Sequence, residues 1–176
     1  DGSISKGEFQ HMVLMSLAGD LLKALARKPT PAIIITERSP WGNYHVFGKA
    51  NLEGKSLELY HHTWERVLGG LPSQLEPKYV FLATEVDTIV KRMEVRGREA
   101  EAKVPREYLE KIHSKHQDWL MHVADSFYSS RVQRLHNINA DQSSDRVWEA
   151  LCEALKPWFD EAGETFQQER DAKTSS

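Results

Sequence analysis

Two short runs of β-branched and aromatic residues, Ala32–Thr36 and Tyr79–Ala83, stand between long stretches whose apolar residues recur at three- and four-residue steps. A short, almost wholly apolar run suits a strand covered on both faces, and the helical stretches supply the covers. Strands alternating with helices predict a parallel sheet in an α/β fold. In such sheets ligands gather at the carboxyl ends of the strands, so Glu37, Arg38 and Ser39, which follow the first run, fall at the expected functional edge.

The helical stretches follow from their spacing. Phe9, Met12, Val13, Leu17, Leu21 and Ala24, widened by Leu14, Leu22 and Leu25, predict a largely buried helix that ends on Arg27 and Lys28 before Pro29. Ser39 followed by Pro40 is an N-cap with proline at the first helical position, so a second helix opens there and carries Tyr44 and Phe47. Leu57, Tyr60, Trp64, Val67 and Leu68 form the next stripe, with Gly69 at the expected C′ position. Val86, Ile89, Val90 and Met93 lead into an arginine-rich stretch from Arg92 to Arg98. Pro105 opens the most regular stripe, through Tyr108, Leu109, Ile112, His116, Trp119, Leu120 and Val123. A third strand is expected over Val132–Ile138, and Ser144 or Asp145 caps a last helix with Val147, Leu151, Leu155 and Trp158. Residues 1–163 read as one domain, followed by a polar, mobile tail over residues 164–176.

Charge and composition narrow the function. With 23 Lys and Arg against 26 Asp and Glu, the net charge of −3 gives no global attraction for nucleic acid or an anionic membrane, so any anion site is local. No stretch reaches the roughly 20 apolar residues of a bilayer span; Met12–Leu25 is broken by Ser16, Asp20 and Lys23. Cys152 is the only cysteine, which excludes an internal disulfide and fits a reducing compartment such as the cytosol or the mitochondrial matrix. His113 and His116 lack the spacing and intervening glutamate of a zincin, and the five tryptophans have no basic stripe beside them.

Taken by itself, Glu37-Arg38-Ser39 reads more simply as a strand end with a helix cap, and the mixed charges from Lys91 to Glu107 read as a solvated, ion-paired helix. The alternative for the second segment is an anion clamp, since neighbouring guanidinium groups grip phosphate oxygens bidentately.

Together these pieces resemble the deoxynucleoside kinases of the thymidine kinase 2 and deoxycytidine/deoxyguanosine kinase kind. The likeness runs from about Phe9 to Asp141 and rests on ordered motifs. These are Phe9-Gln10, Glu37-Arg38-Ser39 with Phe47 beyond it, the run Arg92-Met93-Glu94-Val95-Arg96-Gly97-Arg98, then Tyr108-Leu109, His113, His116 and Trp119-Leu120. It implies a P-loop kinase fold, with about five parallel strands in full form. It implies transfer of the γ-phosphoryl of ATP, with Mg²⁺, to the 5′-hydroxyl of a deoxynucleoside, thymidine or another pyrimidine, and a homodimer formed through helices.

The resemblance also implies roles. Gln10 bonds the base edge, Phe47 stacks on the base, and Phe9, Val13, Leu17 and Asn43 line its pocket. Arg38 holds the 5′-hydroxyl and the transferring phosphate, and Glu37 helps hold Mg²⁺ through water. Arg96 and Arg98 belong to a lid that closes on the donor phosphates, Glu101 accepts the 3′-hydroxyl, and Asn139 and Asp141 lie in the loop beneath the adenine of ATP. Departures from the pattern are Glu94 and Ala100, where Arg and Glu are frequent, and Tyr44 in place of a common arginine. The glycine-rich loop ending in Lys-Ser or Lys-Thr is not in this sequence, nor is the carboxylate that serves as general base, so these 176 residues alone are expected to be inactive. A different class of function, a non-catalytic interaction subunit of the same descent, would have no need of Arg38, Arg96, Arg98 and Glu101.

Overall fold

The computed structural model describes residues 4–28, 33–71, 75, 77–126 and 135–174. Helix α1, Lys6–Leu25, begins on a capping box: the Ser5 hydroxyl accepts from the Glu8 N–H at 3.2 Å, and the Glu8 carboxylate accepts from the Ser5 N–H at 2.7 Å. Gln10, Leu14, Ala18 and Leu21 form its buried face, while Phe9, Met12, Met15 and Leu22 are exposed. The helix expected to be largely buried is therefore covered on one side only.

Ser39 caps α2, Pro40–Gly42, its hydroxyl accepting from the Gly42 N–H at 3.1 Å. The helix then widens into a π-helical stretch, Asn43–Gly48, and closes as α3, Lys49–Asn51. The wide turn lies against α4, Gly54–Gly69. Its tightest approach is at Gly48, where a β-carbon would stand 2.5 Å from the Tyr60 ring, so only glycine fits beside that fully buried tyrosine. Leu14, Tyr44, Leu52 and Tyr60 make the core, with Leu57, Trp64 and Val67 packed on it. The Trp64 indole N–H donates to the Pro40 carbonyl at 3.0 Å, tying α4 to the start of α2.

Strands β1, Tyr79–Ala83, and β2, Leu135–Asn139, pair in parallel, with Tyr79 opposite Leu135 and Ala83 opposite Asn139. Between them run α5, Val86–Arg96, a 3₁₀ turn, Glu99–Glu101, and α6, Arg106–Ser126. The final helix, α7, spans Ser144–Thr174.

Three further expectations change. Ile33–Thr36 forms no strand: it has no ladder partner among the described residues, Ile35 is 70% exposed, and an unpaired apolar run has nothing to hold it as a sheet element. Its neighbour Ala32, and Val132–Arg134 of the third expected strand, lie outside the described residues. Gly69 is the last helical residue, and the cap is Gly70 in ordinary right-handed backbone at φ −87°, so no left-handed glycine ends α4. The helix also continues through Glu164 to Thr174, where the sequence reads as a loose polar tail.

Candidate functional site

The amino end of α1, the end of α3 and the first turns of α6 enclose an open cleft of about 300 Å³ lined by Phe9, Gln10, Asn51 and Tyr108, with Ile4, Ser5 and Lys6 at its edge. Gln10 is 5% exposed, and among the described residues its amide oxygen has no hydrogen-bond partner. A buried acceptor left unpaired costs about 1–3 kcal/mol, so the position favours a ligand that supplies an N–H. Asn51 braces the opposite wall: its amide donates to the Phe47 carbonyl at 2.9 Å and to the Tyr108 hydroxyl at 3.2 Å. The Tyr108 proton is thereby left for another acceptor.

Phe47 lies beyond that brace. The Arg38 guanidinium sits over its ring at 4.8 Å from the centroid, and His116 meets the ring edge-on at 5.9 Å. Arg38 occupies this place because it directly precedes the Ser39 cap, which fixes the chain as it enters α2. Glu37 is exposed beside it and makes no hydrogen bond or ion pair among the described residues. Val13 and Leu17 are half-buried further along α1 and do not line the cleft. Asn43 turns the other way, 2% exposed, its amide donating to the buried Tyr60 hydroxyl.

The second group is built on the end of α5. Gly97 caps that helix in left-handed backbone, φ +64°, a conformation that disfavours other residues, and so reverses the chain between Arg96 and Arg98. Both arginines converge on Glu101: Arg96 donates through two nitrogens at 3.0 and 2.6 Å, and Arg98 approaches the other oxygen at 3.4 Å. The Arg96 hydrogen bond, with the charge of both guanidinium groups, holds the Glu101 carboxyl below the usual carboxylate range. Arg106 anchors the segment by pairing with Asp87 at 2.7 Å and with Glu110 at 2.8 Å.

At the carboxyl edge of the sheet the Asp141 carboxylate accepts from the Glu85 N–H at 3.2 and 3.3 Å, and Asn139 accepts from the Asp141 N–H at 2.9 Å. Arg92 closes this loop onto α5 by donating to the carbonyls of Ala140 at 2.7 Å and Gln142 at 3.2 Å. The structure thus gathers Phe9 and Gln10 with Asn51 and Tyr108, Arg38 with Phe47, Arg96 and Arg98 with Glu101, and Asn139 with Asp141. No hydrogen bond or ion pair joins Arg38 to the Arg96–Glu101 group among the described residues. Asn51 and Arg92 carry structural duties in the site to which sequence reading gave no role.

Residues 7–156 match the family described as deoxynucleoside kinase. The chain belongs to the deoxynucleoside kinase family. Among curated relatives it is 29% identical over 155 residues to human deoxycytidine kinase, covering 83% of this chain and 57% of that protein. It is 31% identical over 166 residues to deoxycytidine kinase 1 of Xenopus laevis, covering 86% and 62%. The chain therefore spans about six-tenths of the length of these deoxynucleoside kinases. A solved structure of deoxyadenosine kinase from M. mycoides with bound dCTP superposes with a TM-score of 0.68 at 16% identity, over 86% of this chain and 73% of that one. The same enzyme with bound dATP gives 0.63 at 16% identity, over 85% and 73%. These likenesses establish the fold, the P-loop kinase arrangement of a parallel sheet flanked by helices. Among the described residues no helix is long and apolar enough to cross a membrane.

Proposed function

We propose that the protein transfers the γ-phosphoryl of ATP to the 5′-hydroxyl of a deoxynucleoside, with a pyrimidine as the preferred base. The observation that carries this reading is the buried amide oxygen of Gln10, unpaired among the described residues, on a side chain that lines the cleft. The N3–H of thymine and the 4-amino group of cytosine each supply the missing donor. Phe47 then presents an aromatic face to the base, and the Tyr108 hydroxyl a free proton to an acceptor on the nucleoside. With the Asn43 amide N–H₂ engaged by Tyr60 and turned away from the cleft, no second amide is offered to a larger, more polar purine such as deoxyguanosine, which favours thymidine.

In this reading Arg38 binds the 5′-oxygen and the transferring group, and Arg96 and Arg98 receive negative charge from the donor phosphates. The convergence of Arg96 and Arg98 on one carboxylate supports an anion-binding role for the pair, with Glu101 standing where phosphate oxygens would bind. Glu101, once released, accepts the 3′-hydroxyl. Glu37 is the carboxylate available for Mg²⁺, and among the described residues no group of three or more His, Cys, Asp or Glu is arranged to hold an ion, so the metal would rest on water and phosphate oxygens as well. When bound, Mg²⁺ supplies charge neutralisation at the phosphates. Asn139 and Asp141 form the loop under the adenine. A homodimer completes the reading, with the exposed Met12, Met15 and Leu59 as apolar side chains a second copy would cover.

The test is competition among thymidine, deoxycytidine, deoxyadenosine and deoxyguanosine for phosphorylation by the full-length protein. Preference for either pyrimidine supports the reading, and a clear purine preference overturns its account of the base.

A further inference from the structure

We propose that His116 is a positioning residue for phosphoryl transfer, its neutral imidazole fixing the Phe47 ring on which the Arg38 guanidinium rests. This rests on the kinase reading above, but the geometry is independent of it. His116 Nδ1 lies 2.9 Å from the Ile112 carbonyl, which can only accept, so Nδ1 carries the proton and Nε2 is bare in the neutral ring. One face of the imidazole lies on Phe81 of β1, with centroids 5.6 Å apart and planes inclined by 23°. Phe47 meets the same imidazole edge-on at 88°, and Arg38 covers Phe47 at 4.8 Å. A continuous stack therefore leads from the sheet to the exposed guanidinium. Arg38 makes no hydrogen bond or ion pair among the described residues, so the Phe47 ring is the contact that directs it.

A second proton would disturb this stack. The charged groups facing the imidazole are Arg38 from the segment before α2 and His113 from its own helix, both of like sign to an imidazolium. Phe81 on β1 and Phe47 on the π-helical stretch contribute only aromatic faces. Burial, the largest cause, together with His113 and Arg38 outweighs the Ile112 carbonyl, which favours the protonated ring, and holds the histidine below its ordinary value of 6.5. The sign follows: a depressed value means the neutral ring's contribution is fully present above 6.5 and is lost as pH falls towards the folded value.

Two measurements test the inference. In the full-length protein, His116→Leu should lower kcat roughly 10-fold while leaving the nucleoside KM within about 2-fold, because a positioning loss is felt mainly in the transition state. His116→Phe, which keeps an aromatic ring but cannot titrate, should retain kcat within about 3-fold and lose the decline of activity on the acid side of neutrality. An acid decline that persists unchanged in His116→Phe, or a kcat for a folded His116→Leu within about 2-fold of wild type, overturns the proposal. The second measurement needs no activity. The ring-current shift of the Arg38 side-chain resonances over Phe47, followed by NMR, should collapse in wild type as pH falls through the folded value of His116, which lies below 6.5, and hold steady in His116→Phe. A shift indifferent to pH in wild type refutes the link to His116 even if the kinase reading stands. A pH-linked shift in a protein that phosphorylates no nucleoside would leave the link intact and defeat the kinase reading instead.

Discussion

The cleft around Gln10 and the arginine segment around Glu101 solve opposite problems. Around Gln10 the amide is buried between half-buried walls, Asn51 braces Phe47 and Tyr108, and among the described residues one acceptor is left unpaired. Around Glu101 the groups lie near the surface, both carboxylate oxygens are occupied, and the partners come from a turn of a few residues. A desolvated group is selective because leaving it unpaired is costly, whereas exposed ion pairs are weak and readily exchanged for another anion. Recognition of one base suits the first arrangement. A grip that must form and release in every turnover suits the second.

The largest test of this contrast lies where the two functions meet. Arg38→Ala in the full-length protein should lower kcat/KM by about 10² or more, the scale of losing one donor to the transition state, and a loss under about threefold with the fold intact would remove Arg38 from the site. Arg96→Ala and Arg98→Ala should each lower kcat by roughly 10-fold or more with nucleoside affinity nearly unchanged. Unchanged kcat with weakened nucleoside binding would move them to the recognition side.

Gln10→Leu separates recognition from stability. Nucleoside affinity should fall about 10-fold by calorimetry, yet the free protein should melt at a higher temperature, since an apolar side chain replaces an unpaired buried acceptor. A lower melting temperature would mean that the amide is paired in solution. The smallest effect belongs to Glu101. Its lowered pKa makes the pairing with Arg96 and Arg98 present above the ordinary value of 4.5 and lost as pH falls below it. Both partners are exposed and salt screens them, so Glu101→Gln should leave the melting temperature essentially unchanged at neutral pH while weakening nucleoside binding through the 3′-hydroxyl. A pronounced fall in melting temperature would make Glu101 a structural residue.

Much of this was legible in the sequence because it depends on local rules. The Ser39-Pro40 start, the strand at Tyr79–Ala83 and the stripe from Tyr108 to Leu120 follow from capping and periodicity. The capping box that starts α1 was missed because the apolar stripe points to Phe9, although Ser5 and Glu8 stand at the spacing that marks one. What stayed hidden depends on partners far away in the chain. Ile33–Thr36 has the composition of a strand, but a strand exists only with a neighbour to bond. Asn43 reads as a pocket residue until Tyr60, seventeen positions on, takes its amide. Arg96 and Arg98 were legible as members of a basic cluster, but their convergence on Glu101 depends on the left-handed turn at Gly97.

The π-helical stretch from Asn43 to Gly48 has a consequence for how this region can vary in length. A π turn holds one residue more than an α turn of similar rise. That surplus is taken up within a single loop of backbone, so the faces before and after it keep their phase. Removing one residue between Asn43 and Gly48 should let the ladder tighten to ordinary α geometry, leaving Ser39 at one end and Leu52 at the other near their present places. The same stretch could accept that residue again only where the neighbour opposite Tyr60 has no side chain. Gly48 thus acts as a licence for an insertion beside the binding cleft.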